Sequence, residues 1–408
     1  MTSPETKKPF VAIACGGTGG HLFPGLAVAG QLKQRGCDVA LLISPKDVDQ
    51  QAVKSANGLE IFTLPAVALQ DGNYFSFAGS FVKSLFASRK IFNKHRPDAV
   101  LAMGGFTSAP PVFVAKDTGI KAFLHESNTI PGRANRILSR FVDGAFVGFP
   151  EAAARLRTRN VTTTGTPVRP QFQLRDAAAC RTALGLEANS STILVVGGSQ
   201  GARGLNEMIL SALYYFSERG RLTRKSVPGG EHPGEPPALQ FLHLTGANDF
   251  ERVNATYSAR GIKAVIKPFL PEMDLALGAA TAAVSRAGAS SLAEIAAMRL
   301  PALLVPYPAA ADNHQFVNAR AFEKTGAAML LEQKNTTPEK VAAMLVELVE
   351  NETARSRMRS ALAQWHAPRA AEQIVEIMLS VIERRMERPA VKKSVYGCAH
   401  DHAKQATS

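Results

Sequence analysis

Short apolar runs alternate with longer stretches of helical period along most of this 408-residue chain. Residues 9–15, PFVAIAC, read as a buried strand, and a glycine-rich loop, GGTGGH at 16–21, follows it. Apolar positions across 24–35 recur at helical spacing up to Gly36, and 39–43 supplies the next strand. Strand-like runs at 99–103, 121–124, 144–147 and 161–164 are separated by helical stretches, the pattern of a parallel sheet covered on both faces. The pattern then starts again. A helical stretch at 177–184 leads into STILVV at 191–196, a second glycine loop, GGSQGAR at 197–203, and a helix from Leu205. Runs at 239–244, 264–267, 282–285 and 302–305 complete a second set of strands. The alternation predicts an α/β protein with two doubly wound domains, 1–167 and 168–368, facing a cleft at the carboxyl ends of their strands. Two segments break the pattern: 221–237, rich in Gly, Pro, Glu and Lys, reads as an inserted mobile loop, and 386–408 as a disordered tail.

Composition narrows the class. The hydrophobic share of 46%, with 20% charged and 7% aromatic residues, is that of a globular protein and argues against disorder or a fibrous repeat. No apolar run is long enough to span a bilayer and no signal-peptide pattern opens the chain, so a soluble, cytoplasmic protein is expected. Cys15, Cys37, Cys180 and Cys398 are scattered without metal-type spacing, which disfavours a disulfide framework or a zinc site. The net charge of +13 implies an anionic partner: nucleic acid, an acidic membrane surface or a phosphorylated substrate. Up to residue 167 there are 19 Lys and Arg against 11 Asp and Glu, so the excess leans toward the first half.

A glycine loop between a strand and a helix lets backbone N–H groups approach an anion at the positive end of the helix dipole. Each loop alone could be a tight turn; two at equivalent places weaken that explanation. The first does not fit G-x-G-x-x-G, and no acidic residue ends the strand at 39–44 where a dinucleotide ribose would need one, so a nicotinamide cofactor is disfavoured. A third anion site is suggested by SRAGASSLAE at 285–294, where a strand end runs through Gly288 into a helix with Ser290 or Ser291 as its cap. Glu294 has two readings there. It complements the helix dipole, which spacing alone favours, or it accepts from the vicinal hydroxyls of a ribose.

GGTGGHLFP at 16–24, MGGFTSAP at 103–110, HESN at 125–128, GTPVR at 165–169, GGSQGAR at 197–203, SRAGASSLAE at 285–294 and DNHQ at 312–315 resemble, in this order, the motifs of the MurG family. That family comprises the peptidoglycan glycosyltransferases that convert lipid I to lipid II. The resemblance runs from about residue 10 to 384 and implies a GT-B fold of two Rossmann-like domains. UDP-N-acetylglucosamine would bind mainly to the second domain and the lipid acceptor to the first, and 369–385 would be a helix crossing back. Carried over position by position, Thr18, Gly19 and Gly20 would line the diphosphate side and Asn128 the sugar side. Arg169, Ser199, Leu270, Ala289, Ser290, Ser291, Leu292, Ala293, Glu294 and Gln315 would hold the donor, Leu270 through its backbone. Gly104 and Gly105 would form an acceptor-side diphosphate loop. Ser127 and Thr166 stand where the family often has Gln and Asn.

With UDP as leaving group, the protein must stabilise the departing diphosphate, orient the acceptor hydroxyl and remove its proton. His21 has the intrinsic pKa and the place for that base, and can equally brace its loop; Glu126 and His125 are the other candidates, and His314 reads as structural. No acidic metal motif lies near the donor loops, so neither a metal nor a cofactor is expected. On a helical wheel of 75–96, Phe81, Leu85 and Phe92 share a face and Lys83, Lys90 and Lys94 lie opposite, which any helix packed on a sheet would show. Phe75, Phe77, Val82 and Phe86 are left over, however. Given a polyprenyl acceptor, Phe81, Lys83, Leu85, Phe86, Lys90 and Lys94 are expected to meet an anionic membrane, making the protein peripheral on the cytoplasmic side of the inner membrane. A related transferase acting on another lipid such as diacylglycerol is the alternative enzyme. A basic nucleic-acid or membrane adaptor is weakened because the basic residues are dispersed and not interleaved with aromatics, and no nucleic-acid partner is expected.

Overall fold

The computed structural model describes residues 8–17, 19–46, 49–50, 53, 58–66, 74–198, 201–218 and 239–386. Thr18, Ser199, the 221–237 segment and the tail beyond 386 lie outside the described residues.

Thirteen strands form two wholly parallel sheets among those residues. The first, in the order β3-β2-β1-β4-β5-β6-β7, comprises β1 (Phe10–Ala14), β2 (Asp38–Ile43), β3 (Glu60–Thr63), β4 (Ala99–Ala102), β5 (Lys121–Glu126), β6 (Gly144–Val147) and β7 (Val161–Thr163). The second, in the order β10-β9-β8-β11-β12-β13, comprises β8 (Ser191–Val196), β9 (Leu239–Leu244), β10 (Ala264–Lys267), β11 (Ala282–Ser285), β12 (Ala302–Leu304) and β13 (Met329–Leu330). The chain order reverses direction between β1 and β4 in one sheet and between β8 and β11 in the other, and at such switch points a doubly wound sheet opens its ligand crevice.

The sequence left out β3 and β13, and the reason is physical. EIFT of β3 lies at a sheet edge with Glu60 and Thr63 exposed, and β13 has two residues, so neither presents a buried run. Helix α1 (Gly19–Gln34) begins five residues before the expected start at 24, inside the glycine loop, and holds Pro24 in its interior, where the ring removes one helical N–H donor.

Alternate residues of β1 feed different cores. Val11 and Ile13 face α1, whereas Ala12 and Ala14 face α2 (Tyr74–His95) and α3 (Ala109–Thr118). The α1 face is completed from the far end of the chain. Helix α14 (Ala370–Met386) inserts Ile374, Val375, Met378 and Ile382, all buried, into the core of the first sheet. At about 1.5–3 kcal/mol for each buried aliphatic side chain, this stripe outweighs the half-exposed ion pairs of Arg35 with Glu372 and Glu376, each worth about 1 kcal/mol at most.

On α2 the wheel splits differently from the expected membrane face. Phe92 is buried, Leu85 is half-buried against the α3 side of the sheet, and Phe81 meets Phe113 edge-on with centroids 6.2 Å apart. Leu85 packs against the core of the first sheet and Phe81 is half-buried against Phe113, so both leave the membrane set, because a helix lying on a sheet must commit one stripe to it. Phe77 leans on Phe81 at 6.2 Å. Phe75, Val82 and Phe86 are exposed, at 94%, 47% and 71%, beside exposed Lys83, Lys90 and Lys94.

The chain leaves the first sheet at Gly165, whose φ of 81° suits glycine, and a Cβ there would stand 2.3 Å from the Cβ of Ala367 just before α14. Gly165→Ala should lower stability by roughly 2 kcal/mol or more through backbone strain and overpacking. Urea denaturation checks this, and an unchanged midpoint would mean that the return crossing is not packed here.

Candidate active site

Among the described residues, Gly19, Gly20, His21, Gly104 and Gly105 follow β1 and β4, and Ala289 to Glu294 follow β11, strands that flank the two switch points, whereas Asn128, Leu270 and Gln315 follow β5, β10 and β12. After β1, the loop runs into α1, so Gly19, Gly20 and His21 are the first three residues of that helix. The His21 ring lies flat against the turn after β4. A Cβ on Gly104 would sit 2.9 Å from its Cδ2 and Nε2, and one on Gly105 would sit 3.2 Å from Nδ1; both glycines have positive φ, 112° and 75°. The Ser108 hydroxyl, accepting from Gly104 N at 3.1 Å, pins this turn.

His21 is held predominantly neutral. Burial pushes its pKa below the ordinary histidine value, the charges of Glu126 and Asp49 oppose that, and His314 reinforces it. Asp49 escaped the sequence reading. It is fully buried, and its Oδ2 accepts from Gly17 N at 2.6 Å, from Ser44 N at 3.3 Å and from the Ser44 hydroxyl, while Lys46 Nζ donates to Gly17 O at 3.2 Å. The first glycine loop thus has its own carboxylate anchor 32 positions away.

Glu126, at the end of β5, has no lone pair to spare for a substrate proton. Its Oε1 accepts from Asn128 N (2.8 Å) and Asn128 Nδ2 (3.1 Å), and its Oε2 from Gly132 N (2.9 Å) and Asn135 Nδ2 (2.8 Å). Four donors fill the sites of a carboxylate, so Glu126 is corrected from candidate base to anchor of the 128–135 loop. His125 points to the opposite side of the strand and is fully buried. It contacts Gly165 O through Nε2 at 3.2 Å and the Ser127 hydroxyl through Nδ1 at 3.3 Å, and burial pushes its pKa down to about 4. It is a neutral brace. His314 bonds Ala311 O through Nδ1 at 2.8 Å, in keeping with a structural part.

On the facing side, α10 (Ala289–Ala297) starts after β11. Ser290 and Ser291 are not its cap, contrary to expectation: Gly288 occupies that position in an extended conformation, and no side chain caps the helix. The first-turn N–H groups are consequently left to whatever enters the cleft. Ala289 and Leu292 are buried in the second core, whereas Ser290, Ser291, Ala293 and Glu294 are partly exposed. Leu270 gives its side chain to that core as well. Gln315, second in α11 (His314–Lys324), accepts from Tyr307 N at 3.0 Å through Oε1.

Arg169 joins the two sides. Its guanidinium lies 4.3 Å from the Phe23 ring of α1 and 5.0 Å from that of Phe172, and its Nη2 stands 3.8 Å from Glu294 Oε1. That gap is too long for a hydrogen bond. Burial therefore dominates over Arg169 and pushes the Glu294 pKa up to about 7. A carboxylate with little exposure and one loose cation, and a guanidinium whose Nε has no partner, make an under-satisfied pair, suited to a ligand that brings hydroxyls and phosphate. Among the described residues no cluster of His, Cys, Asp and Glu is placed to hold a metal.

Comparison with known proteins agrees with this architecture over most of the chain. Residues 11–147 match the N-terminal domain, and 192–374 the C-terminal domain, of glycosyltransferase family 28. A protein of Anaeromyxobacter sp. (strain Fw109-5), named UDP-N-acetylglucosamine–N-acetylmuramyl-(pentapeptide) pyrophosphoryl-undecaprenol N-acetylglucosamine transferase, is 36% identical over 93% of this chain and 95% of its own length. The chain belongs to the MurG family. A protein of the same name from Citrifermentans bemidjiense is 34% identical over 90% of this chain and 98% of its own length. The crystal structure of Acinetobacter baumannii MurG superposes with a TM-score of 0.67 at 26% identity, covering 92% of this chain and all of that one. A UDP-GlcNAc 2-epimerase from Neisseria meningitidis, at 13% identity and a TM-score of 0.62 over 92% of this chain and all of its own, shares the GT-B fold alone. This MurG-family chain is a glycosyltransferase with two parallel-sheet α/β domains.

The raised Glu294 pKa has a stability consequence. The folded protein binds this proton more tightly than the unfolded chain, so the stabilisation is complete below about pH 4 and is lost as pH rises through about 7. Glu294→Gln, neutral throughout, should exceed the parent in stability at pH 8 by on the order of 1–3 kcal/mol and lose that advantage by pH 4. Thermal unfolding at the two pH values checks it; equal differences at both would place the carboxylate in a wetter site.

Proposed function

We propose that this chain is an inverting transferase that moves N-acetylglucosamine from UDP-N-acetylglucosamine to the 4-hydroxyl of the MurNAc unit of undecaprenyl-pyrophosphoryl-MurNAc-pentapeptide, forming lipid II in peptidoglycan synthesis. The observation that carries this reading is the Arg169–Glu294 pair at the uncapped amino end of α10, facing α1 and the His21–Gly104–Gly105 turn. In this reading 1–167 form the acceptor half, 168–368 the donor half, and 369–385 return to the first. The helix amino end and Arg169 receive the diphosphate as charge builds on it, and Glu294 accepts from the ribose hydroxyls. Gly19, Gly20, Leu270, Ala289 through Ala293, and Gln315 complete the donor contacts, with Asn128 on the sugar side. Thr18 and Ser199 are assigned on sequence alone. Release of UDP from UDP-N-acetylglucosamine only when a lipid I analogue is present would support the reading; release independent of the acceptor would refute it.

His21 takes the acceptor proton. Its imidazole is neutral at pH 7 because burial lowers its pKa, so it needs no prior deprotonation to act as a base. His21→Ala should reduce kcat about a hundredfold or more while UDP affinity stays nearly constant. In the parent enzyme kcat should fall only when pH drops through the lowered pKa, placing the acid limb below about 6.5. Loss of UDP binding in the variant would reduce His21 to a brace for its loop.

Membrane contact is assigned to the outer face of α2, through Phe86 and Phe75 with Lys83, Lys90 and Lys94. Among the described residues no helix is long and apolar enough to cross a membrane, so attachment by this face is peripheral. Changing the three lysines to Glu should weaken binding to anionic vesicles, each lost basic contact being worth about 1 kcal/mol near the surface. Unchanged vesicle sedimentation by the folded triple variant would put the contact elsewhere.

A further inference from the structure

Asn318, one helical turn beyond Gln315 on α11, is fully buried and makes four hydrogen bonds. Its carboxamide oxygen accepts from Thr129 N at 3.0 Å and from Thr129 Oγ1 at 2.8 Å. Its nitrogen donates to Asn128 Oδ1 at 3.0 Å and to Ala287 O at 3.2 Å. Those four bonds use both protons of the amide and both lone pairs of the oxygen. The orientation of the amide is fixed as well, because Thr129 N can only donate and Ala287 O can only accept.

The partners lie on two sides of the cleft. Asn128 and Thr129 form the turn that follows β5 of the first sheet and hangs on Glu126. Ala287 lies in the turn between β11 and α10, beside the donor-side residues. Nearby, Arg136 pairs with Asp312 across the same boundary, but both side chains are a third or more exposed to solvent. Asp312 and Asn313 adopt left-handed φ values of 50° and 54°, an uncommon pair for residues with side chains, and this bend delivers α11 to the turn. A dry carboxamide with every bond satisfied fixes position far more tightly than a wet ion pair.

We propose that Asn318 is a positioning residue for sugar transfer, tying the Asn128–Thr129 turn of the acceptor half to the donor half and so setting the approach of the His21 side to the sugar held by α10 and Gln315. The inference rests on the functional reading above. Each half can bind its own substrate without the tie, whereas transfer needs both in register, since a displacement of about 1 Å can cost on the order of a hundredfold in rate.

Three variants test it. Asn318→Ala removes all four bonds. Asn318→Asp keeps the acceptor toward Thr129 but turns a second oxygen toward Asn128 Oδ1 and Ala287 O. Thr129→Val, nearly isosteric, deletes only the hydroxyl bond and guards against misfolding of the other two. Transfer kinetics, UDP affinity by calorimetry and the radius of gyration by X-ray scattering should be measured on the full chain. Expected are a kcat at least tenfold lower for both Asn318 variants, about threefold lower for Thr129→Val, UDP affinity within about twofold of the parent, and a larger radius of gyration for the Asn318 variants. Parental kcat in the Asn318 variants would overturn the proposal, as would a parallel loss of UDP affinity, which would make Asn318 a donor contact. Scattering needs no substrate. A parent that fails to transfer the sugar would refute the functional reading, while an unchanged radius in Asn318→Ala would refute the tie.

Discussion

Every strand of both sheets runs parallel, and the working parts of the molecule depend on that constraint. A parallel neighbour can be reached only by a crossover, so the loops leaving the strand carboxyl ends collect along one rim of each sheet, and the helices that follow present their amino ends there. At the switch points those crossovers diverge to opposite faces and leave a crevice that no side chain has to fill. The amino ends of α1 and α10 therefore meet across the cleft, as a consequence of strand direction and not of special local sequence. The chemistry is then placed by few residues: His21 in the first turn of one helix, Glu294 on the other, and Arg169 in the connection between the halves.

The cleft residues show how electrostatic character is assigned by neighbours. Glu126 and Glu294 are both carboxylates with little exposure, yet one is surrounded by four donors and the other faces a single guanidinium at 3.8 Å. The first holds a loop. The second retains capacity for a ligand, at a cost to the unliganded fold that rises with pH. His21 and His125 divide similarly, one packed against a glycine turn, the other fully buried at the end of β5 and bonded to Gly165 O and the Ser127 hydroxyl. Residue type is shared within each pair, and the difference lies in the backbone and side-chain groups that surround it.

The order of strands and helices was readable in the sequence because glycine loops and apolar runs are local signals. Gly19, Gly20, His21, Gly104, Gly105 and the 289–294 stretch stood out for the same reason, since they lie in glycine-bearing motifs, whereas Asn128, Leu270 and Gln315 were named only through the family resemblance. Asp49, Asn135 and Asn318 carry no such local mark. Asp49 reaches Gly17, and Asn318 reaches Thr129 across 189 positions, so their importance exists only after folding. The assignment of Ser290 or Ser291 as a cap failed because Gly288 can adopt the capping conformation itself, which moves both serines into the helix. Phe81 and Leu85 were assigned outward because a helical wheel shows which residues share a face without showing which face the sheet will take.

The return of α14 to the first sheet bears on how the chain is made. Val11, Ile13, Leu41 and Leu101 are covered partly by residues that lie in the last tenth of the sequence. During synthesis the first sheet leaves the ribosome about 200 residues ahead of its lid, and at about 5–20 residues per second it waits on the order of ten to forty seconds. Throughout that interval an aliphatic surface stands open to solvent and to other nascent chains. The order of translation thus exposes the amino-terminal half to chaperones before the carboxyl-terminal helix can close it.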